Sequence, residues 1–492
     1  MKTIFNICLT SIVAGLLACQ GPAQNTNEEL TMYCAAGMKP AVEKIAKAYK
    51  EEYGIHVNLQ YGGSGTLLSN LQVAKQGDIY LAADESYISK ARERGLLDET
   101  QPLAFLKPVL AVAANNPLNI QSIEDLKNDD IKLSIANPEA ASVGKLTKKM
   151  LEESGDWESL KGYINVMKPT VNEVANDIKL GTVDAGIIWD AVAVQYPELD
   201  FIELPKWEKF AQQVTVGILK STKNPTAALK FLRYLSAKDR GLQTFAALGY
   251  KPVDGDPWEE TPELLFYSGG VNRLAVDKTI QAFEEREGVE VVRVYNGCGI
   301  LVSQIRAGQQ PDAYLSCDVT FMDQVEDSFQ EINDVSSTAI VIATDKANSK
   351  QITSLDDLTV EGIKLGVCNP KQSALGALTV NLLDKVGLKD EVLKNVVVQT
   401  PTADLLVNQL RTGALDAAIV YAANVALVHD KLTVVTLDVK EATATQNIGI
   451  NTASKYKYLT RRLYQKITSE NSQKMYLQNG FNWLSANQQI LQ

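Results

Sequence analysis

An α/β fold, laid down twice in tandem, is what this 492-residue chain predicts. Three observations predict it. The first is an internal repeat: "YGGSGTLLSNLQVAKQGDIYLAAD", from Tyr61, returns as "YNGCGILVSQIRAGQQPDAYLSCD", from Tyr295. The second is the reach of that repeat. Tyr33 to Tyr61 and Tyr267 to Tyr295 each span 28 residues, and Asn137 to Asp184 and Asn369 to Asp416 each span 47. Blocks matched in the same order imply two homologous modules of about 230 residues, the length of a whole domain rather than of a solenoid repeat. The third is alternation of strand-like and helix-like segments within each unit, the pattern of βα units with sheets packed between helices.

The elements follow in order. "LTMYCA" is a short apolar, strand-like run. "KPAVEKIAKAYKEEYG" places Val42, Ile45, Ala46 and Tyr49 on one helical face and ends on Gly54. "IHVNLQY" alternates as a strand, "GTLLSNLQVAKQG" is a helix opened by a glycine-rich turn, and "DIYLAAD" is a buried strand. Further on, "IKLSIANPEAASVGKL" parallels "IKLGVCNPKQSALGAL", and "GTVDAGIIWDAVAV" parallels "TGALDAAIVYAANV". The join, "YKPVDGDPWEETPELL", carries Pro252, Gly255, Pro257 and Pro262 among acidic residues and reads as a short, stiff linker. The predicted division is 29–251 for module 1, 252–262 for the linker and 263–492 for module 2.

Composition narrows the function. Apolar residues make up 45% of the chain, enough for full cores. A net charge of −11 argues against nucleic acid, which demands a basic patch. An anionic ligand would have to be attracted locally, against that field. "MKTIFNICLTSIVAGLLACQ" has one lysine, Lys2, and an apolar run of signal-peptide length, too short to span a membrane. It ends in Leu16-Leu17-Ala18-Cys19, which resembles the lipobox of bacterial lipoproteins. On that reading 1–18 is removed, Cys19 is acylated, and 19–28 tethers the protein to the membrane on the extracytoplasmic side. His56 and His429 lie in no polar cluster, which argues against histidine catalysis or a histidine metal site. Cys34, Cys298, Cys317 and Cys368 show neither metal-type spacing nor a disulfide framework. The last three are expected as small, partly buried apolar residues, with a redox or soft-metal site as the alternative. Asp78, Asp84, Asp312 and Asp318 are expected to cap and brace turns.

Two features in each module place backbone N–H groups at a strand-to-helix turn. In module 1 they are Ala36-Gly37, ahead of a helix with Pro40 in its first turn, and Ser64-Gly65 within "YGGSG". Small residues admit a ligand close to the backbone. Free N–H groups and the helix dipole then attract an anion without formal charge.

These blocks, together with "FAQQVTVGILKSTKNPTAALKFLRYLSAKDRGLQTFAALGYKPV", resemble the molybdate-binding component of bacterial ABC importers, within the type II periplasmic binding proteins. The resemblance covers nearly all of the chain after the tether. It implies two tandem type II modules, each of two α/β lobes with mostly parallel sheets and a hinge. It also implies binding of a molybdate- or tungstate-like oxyanion between the lobes, and delivery to an ABC permease by a monomer without cofactor or metal. The family's ligand positions fall on Gly37, Ser64, Val143, Val171 and Trp189 in module 1. In module 2 they fall on Val271, Cys298 (with Gly299 beside it), Leu375, Ala403 and Tyr421. One family serine is thus missing from module 1 and both from module 2. Lobe crossings are expected at Lys107 to Ala114 and Gln212 to Leu219, and in module 2 within "STAIVIATD" and "TQNIGINT". A competing reading is a sensory or interaction lipoprotein with one or both clefts degenerate. An enzyme with Cys298 as nucleophile ranks last, because no histidine stands near any motif.

Overall fold

The computed structural model describes residues 29–484. The expected signal segment, Cys19 and expected tether, and residues 485–492, lie outside the described residues. Module 1 contributes β1 (Glu29–Ala35), β2 (His56–Gly62), β3 (Ile79–Ala82), β4 (Leu97–Leu106), β5 (Pro108–Ala113), β6 (Leu133–Ala136), β7 (Ile164–Lys168), β8 (Ala185–Trp189), β9 (Leu199–Ile202), β10 (Gln212–Leu219) and β11 (Lys251–Pro252). They form two sheets, ordered β11-β4-β10-β3-β1-β2 and β7-β6-β8-β5-β9, one for each lobe. The βα strands pair in parallel; the crossover strands β5 and β10 join them antiparallel. β3, β6 and β8 are buried at every residue, as expected of strands covered by helices on both faces.

Module 2 repeats the plan with β12 (Glu263–Gly269), β13 (Glu290–Asn296), β14 (Ala313–Leu315), β15 (Phe329–Asp345), β16 (Leu365–Cys368), β17 (Val396–Thr400), β18 (Ala417–Tyr421), β19 (Leu432–Thr436), β20 (Thr443–Asn451) and β21 (Asn482–Trp483). Here the strands of both lobes belong to one continuous ten-stranded sheet. β15 is the reason. It pairs with β20 as far as Ala339 and with β18 from Ile340 onward, so one unbroken strand carries the crossing. In module 1 the same crossing is broken at Lys107. Pro108 occupies the position of Ile340, each pairing with the last residue of its partner strand, Trp189 or Tyr421. Ile340 donates its N–H to Ala442 O at 2.8 Å. Proline has no N–H to donate, so the ladder stops.

The helices that matter for the site are α1 (Lys39–Tyr53), α2 (Ser64–Ala74), α3 (Ser142–Ser154), α4 (Val171–Lys179) and α5 (Pro225–Leu235) in module 1. Their relatives in module 2 are α6 (Arg273–Glu287), α7 (Cys298–Arg306), α8 (Ala374–Lys385), α9 (Ala403–Arg411) and α10 (Lys457–Ile467). α1 shows how sequence sets them. Pro40 lies in the first turn, Ala41, Val42, Ile45, Ala46 and Tyr49 are buried, and Gly54 stops the helix at φ +74°. Asp84 and Asp318 cap the helices that follow β3 and β14. Asp78 accepts from Thr31 N and Asp312 from Leu265 N, both at 2.8 Å, tying neighbouring strands together. No described helix is long and apolar enough to cross a membrane.

The first lobes of the two modules are joined. Glu287, at the end of α6, is 1% exposed. It receives Arg462 of α10 at 2.7 and 3.0 Å and Arg233 of α5 at 3.3 Å. Arg462 also donates to Gln101 Oε1 at 2.7 Å, across the modules. Beside this cluster, Arg286 grips Glu99 with two bonds of 2.7 and 2.8 Å, and Lys466 approaches the same carboxylate at 3.1 Å. The linker is part of the joint. Asp256 accepts from the backbone N–H groups of Tyr458 and Leu459 at the start of α10.

Candidate functional site

In each module a small cavity lies between the lobes. That of module 1, about 10 Å³, is lined among others by Ala36, Gly37, Gly63, Ser64, Ser142, Val143, Thr170, Val171 and Trp189. These residues stand at the N-terminal ends of α1, α2, α3 and α4. First-turn N–H groups have no intrahelical acceptor, and each aligned helix adds a partial positive charge of about half an electron there. Four such ends therefore converge on one point in a chain of net charge −11. Module 2 repeats the arrangement around about 20 Å³, with Gly270, Val271, Asn296, Gly297, Ser373, Leu375, Thr402, Ala403 and Tyr421 in the lining.

The jaws are closed on each other. Gly65 N and Thr66 N, in the first lobe, donate to Ala140 O of the second at 2.9 and 3.2 Å. Gly299 N donates to Gln372 O at 3.1 Å in module 2. Glycine makes this approach possible. A Cβ on Gly63 would stand 2.3 Å from Ala140 O and 2.8 Å from Pro169 O. On Gly297 it would stand 2.2 Å from Gln372 O and 2.6 Å from Pro401 O. Lys145 adds a bond of 2.6 Å to Ser86 Oγ across the first cleft.

The structure brings Ala36, Gly37, Ser64, Val143, Val171 and Trp189 to one cavity and Val271, Leu375, Ala403 and Tyr421 to the other. Gly65 and Gly299 are not in the linings; their N–H groups are used in the interlobe bonds. Gly37 is packed by its surroundings. A Cβ there would meet Val171 Cγ1 at 3.3 Å and Trp189 Cδ1 at 3.6 Å. Small Gly37 thus accompanies large Trp189, and larger Val271 accompanies smaller Tyr421. Ser64 Oγ accepts from Ala83 N at 3.2 Å, which leaves its own hydrogen free to donate. The Tyr421 hydroxyl is buried without a partner, and burial holds its pKa far above the ordinary value, so it stays neutral.

Two expectations about cysteine are corrected. Cys298 and Cys317 form a disulfide, where the sequence showed no disulfide framework. Cys298 sits at the start of α7 and Cys317 just after β14, and the βα turn brings them together. Cys298 is fully buried and contributes no thiol to the cavity; Cys317 lines it. Gly269 gives the bond its room, since a Cβ there would lie 2.4 Å from Cys317 Sγ. Module 1 has Ala35, Ser64 and Ala83 at the three matching places. Cys34 and Cys368 are free and buried, and burial pushes both thiols up, Cys368 to about 11. Among the described residues, no group of His, Cys, Asp or Glu is placed to hold a metal ion.

Sequence reasoning missed Ser142, Thr170, Ser373 and Thr402, all in the linings. The signal was present: each is a serine or threonine at the very start of a helix, where such residues cap free N–H groups. It also missed Asp404 and Asn424 in the second lining. Asn424 Nδ2 donates to Asp404 Oδ1 at 2.9 Å. Asp404 keeps an exposed edge at the cavity mouth, yet desolvation on its cleft side raises its pKa, partly offset by Asn424.

Two α/β lobes, a hinge and a closed hollow ringed by helix ends define a clamshell solute-binding protein. The chain belongs to the bacterial extracellular solute-binding protein family, whose profile it matches over residues 30–251 and again over 264–482. The family is one of binding proteins rather than enzymes. A Haemophilus influenzae binding protein is 30% identical over 226 residues, 46% of this chain and 91% of that protein. The molybdate-binding protein ModA of Mycobacterium tuberculosis is 25% identical over 241 residues, 46% of this chain and 89% of its own. Among solved structures, the periplasmic molybdate-binding protein of Azotobacter vinelandii aligns with a TM-score of 0.40 at 20% identity, covering 45% of this chain and 98% of that one.

Proposed function

We propose that this is a lipid-anchored, extracytoplasmic binding protein of an ABC importer, which holds a small oxyanion of the molybdate or tungstate kind in module 1 and an oxyanion in module 2. The observation that carries the reading is the meeting of four helix N-termini at a closed cavity in each module. Such ends bind anions through N–H groups and dipoles. The lining of module 1 holds no carboxylate, and Ser64 and Ser142 supply hydroxyl donors, while the Thr170 hydroxyl is spent on Glu173 at 2.8 Å. Cavities of about 10 and 20 Å³, room for about one or two waters, are too small for a sugar or a peptide. Ser64 stands as ligand with the amides of Val143 and Val171, and Trp189 closes the back wall. Acylated Cys19 keeps the chain at the membrane, where the permease collects the solute. A ligand that binds only the folded state raises the melting temperature. Calorimetry and thermal melting with molybdate, tungstate and sulfate test the proposal. Saturable binding by at least one oxyanion is expected, removed in module 1 by Gly63→Ala. The reading is wrong if no oxyanion binds or shifts the melting temperature.

A further inference from the structure

The two clefts share their helix ends but differ in what surrounds them. Asn172, the residue after Val171, corresponds to Asp404 after Ala403; Val192 corresponds to Asn424. Asp404 and Asn424 both line the second cavity, whereas no acidic residue lines the first. The amide of Asn424 is oriented by chemistry. Its Nδ2 faces the carboxylate at 2.9 Å, so its Oδ1 must point elsewhere, and that oxygen is buried with no partner. Asp404 spends Oδ1 on the same bond, and no described group bonds its Oδ2. The Tyr421 hydroxyl, on a side chain 3% exposed, is also unpaired at the cavity. Two of these three unspent atoms can only accept. An oxyanion stripped of all its protons can also only accept. It would leave Asn424 Oδ1 unpaired and set its charge against the Asp404 carboxylate.

We infer that module 2 selects a protonated tetrahedral oxyanion, of the hydrogen phosphate or hydrogen arsenate kind, while module 1 takes a fully deprotonated one. Its bare oxygens meet the amides of α6, α7, α8 and α9 and the Tyr421 hydroxyl. Its hydroxyl donates to Asp404 or Asn424. The exchanges of Asn172 for Asp404 and of Val192 for Asn424 set the difference. The inference rests on the reading that the second cleft binds an oxyanion at all.

The test uses the full chain at neutral pH, with calorimetric titration of phosphate, arsenate, molybdate and tungstate. Sites are assigned by Gly63→Ala, which props open the first jaw, and Gly297→Ala, which props open the second. The expected result is a phosphate site lost in Gly297→Ala and a molybdate site lost in Gly63→Ala. Asp404→Asn, which keeps shape, is expected to weaken phosphate at least tenfold and to admit molybdate to the second cleft. Asn424→Val, the residue of module 1, weakens phosphate by a smaller factor. Unchanged melting of the unliganded variants shows that both fold. Molybdate bound at the second cleft as tightly as phosphate overturns the selectivity while leaving the oxyanion function standing. Failure of any oxyanion to bind there, with module 1 still loading, overturns the inference and the second-cleft part of the proposed function, and leaves the first cleft's part standing. Failure at both clefts overturns the proposed function with it.

Discussion

Module 1 and module 2 are two outcomes of one design, and their differences show which parts of the design are negotiable. Four helix ends and paired glycines at the jaws recur in both. Backbone amides survive side-chain replacement, so the core of an anion site outlasts drift in its lining. What changes is everything a side chain supplies. A serine hydroxyl in the first cleft becomes a disulfide in the second, tryptophan becomes tyrosine, and a carboxylate appears at the mouth.

The largest expected effect falls on the base the two modules share. Glu287→Gln leaves Arg462 and Arg233 buried beside a neutral amide, and breaking a buried pair from one side costs about 3–5 kcal/mol. Calorimetric melting should then show the two modules unfolding separately where the wild type unfolds together. Next, Cys298→Ser combined with Cys317→Ala rebuilds the Ser64 and Ala83 pair of the first cleft in the second. Opening a loop of 19 residues costs about 3 kcal/mol on the loop-entropy model. Denaturant melting should place that loss in module 2 alone, and a reductant should reproduce it in the wild type. Third, Ser64→Ala removes a hydroxyl donor from the first cleft only. Oxyanion affinity there should fall by about 1.5–3 kcal/mol, tenfold or more by titration, with the second cleft unchanged.

A further effect is graded with acid. Burial by itself would raise the Glu99 carboxyl, but Arg286 and Lys466 draw it down to about 2. A carboxyl whose folded pKa is depressed stabilises above its unfolded value, near 4.5, and loses that contribution as pH falls toward 2. Melting temperature should therefore decline across this window. Glu99→Gln should flatten the decline without altering either cleft at neutral pH.

Much of this was legible in the sequence because it is local. The duplication is written in repeated spacings, and α1 in Val42, Ile45, Ala46, Tyr49 and Gly54. Ser64 falls at a helix start that a glycine-rich turn marks, whereas Val143 and Val171 were reached only through the family resemblance. The disulfide was not legible. Cys298 and Cys317 are adjacent only once the α7 turn folds back over β14, and nothing in their spacing says so. The exchange of Ala35 for Gly269 was a clue, meaningful only beside a neighbouring sulfur. Asp404 and Asn424 escaped because they lie 20 residues apart on different elements and meet across the cavity wall. The inter-module ion cluster was hidden for the same reason, since Gln101 and Arg462 are 361 residues apart.

The break at Pro108 leaves the two plates of the first shell joined, at this crossing, by one residue outside any strand, Lys107. The ribbon from Phe329 to Asp345 runs through both plates of the second shell without such a gap. Two receptacles unlike in charge are thus also strung differently, a contrast set by one missing hydrogen.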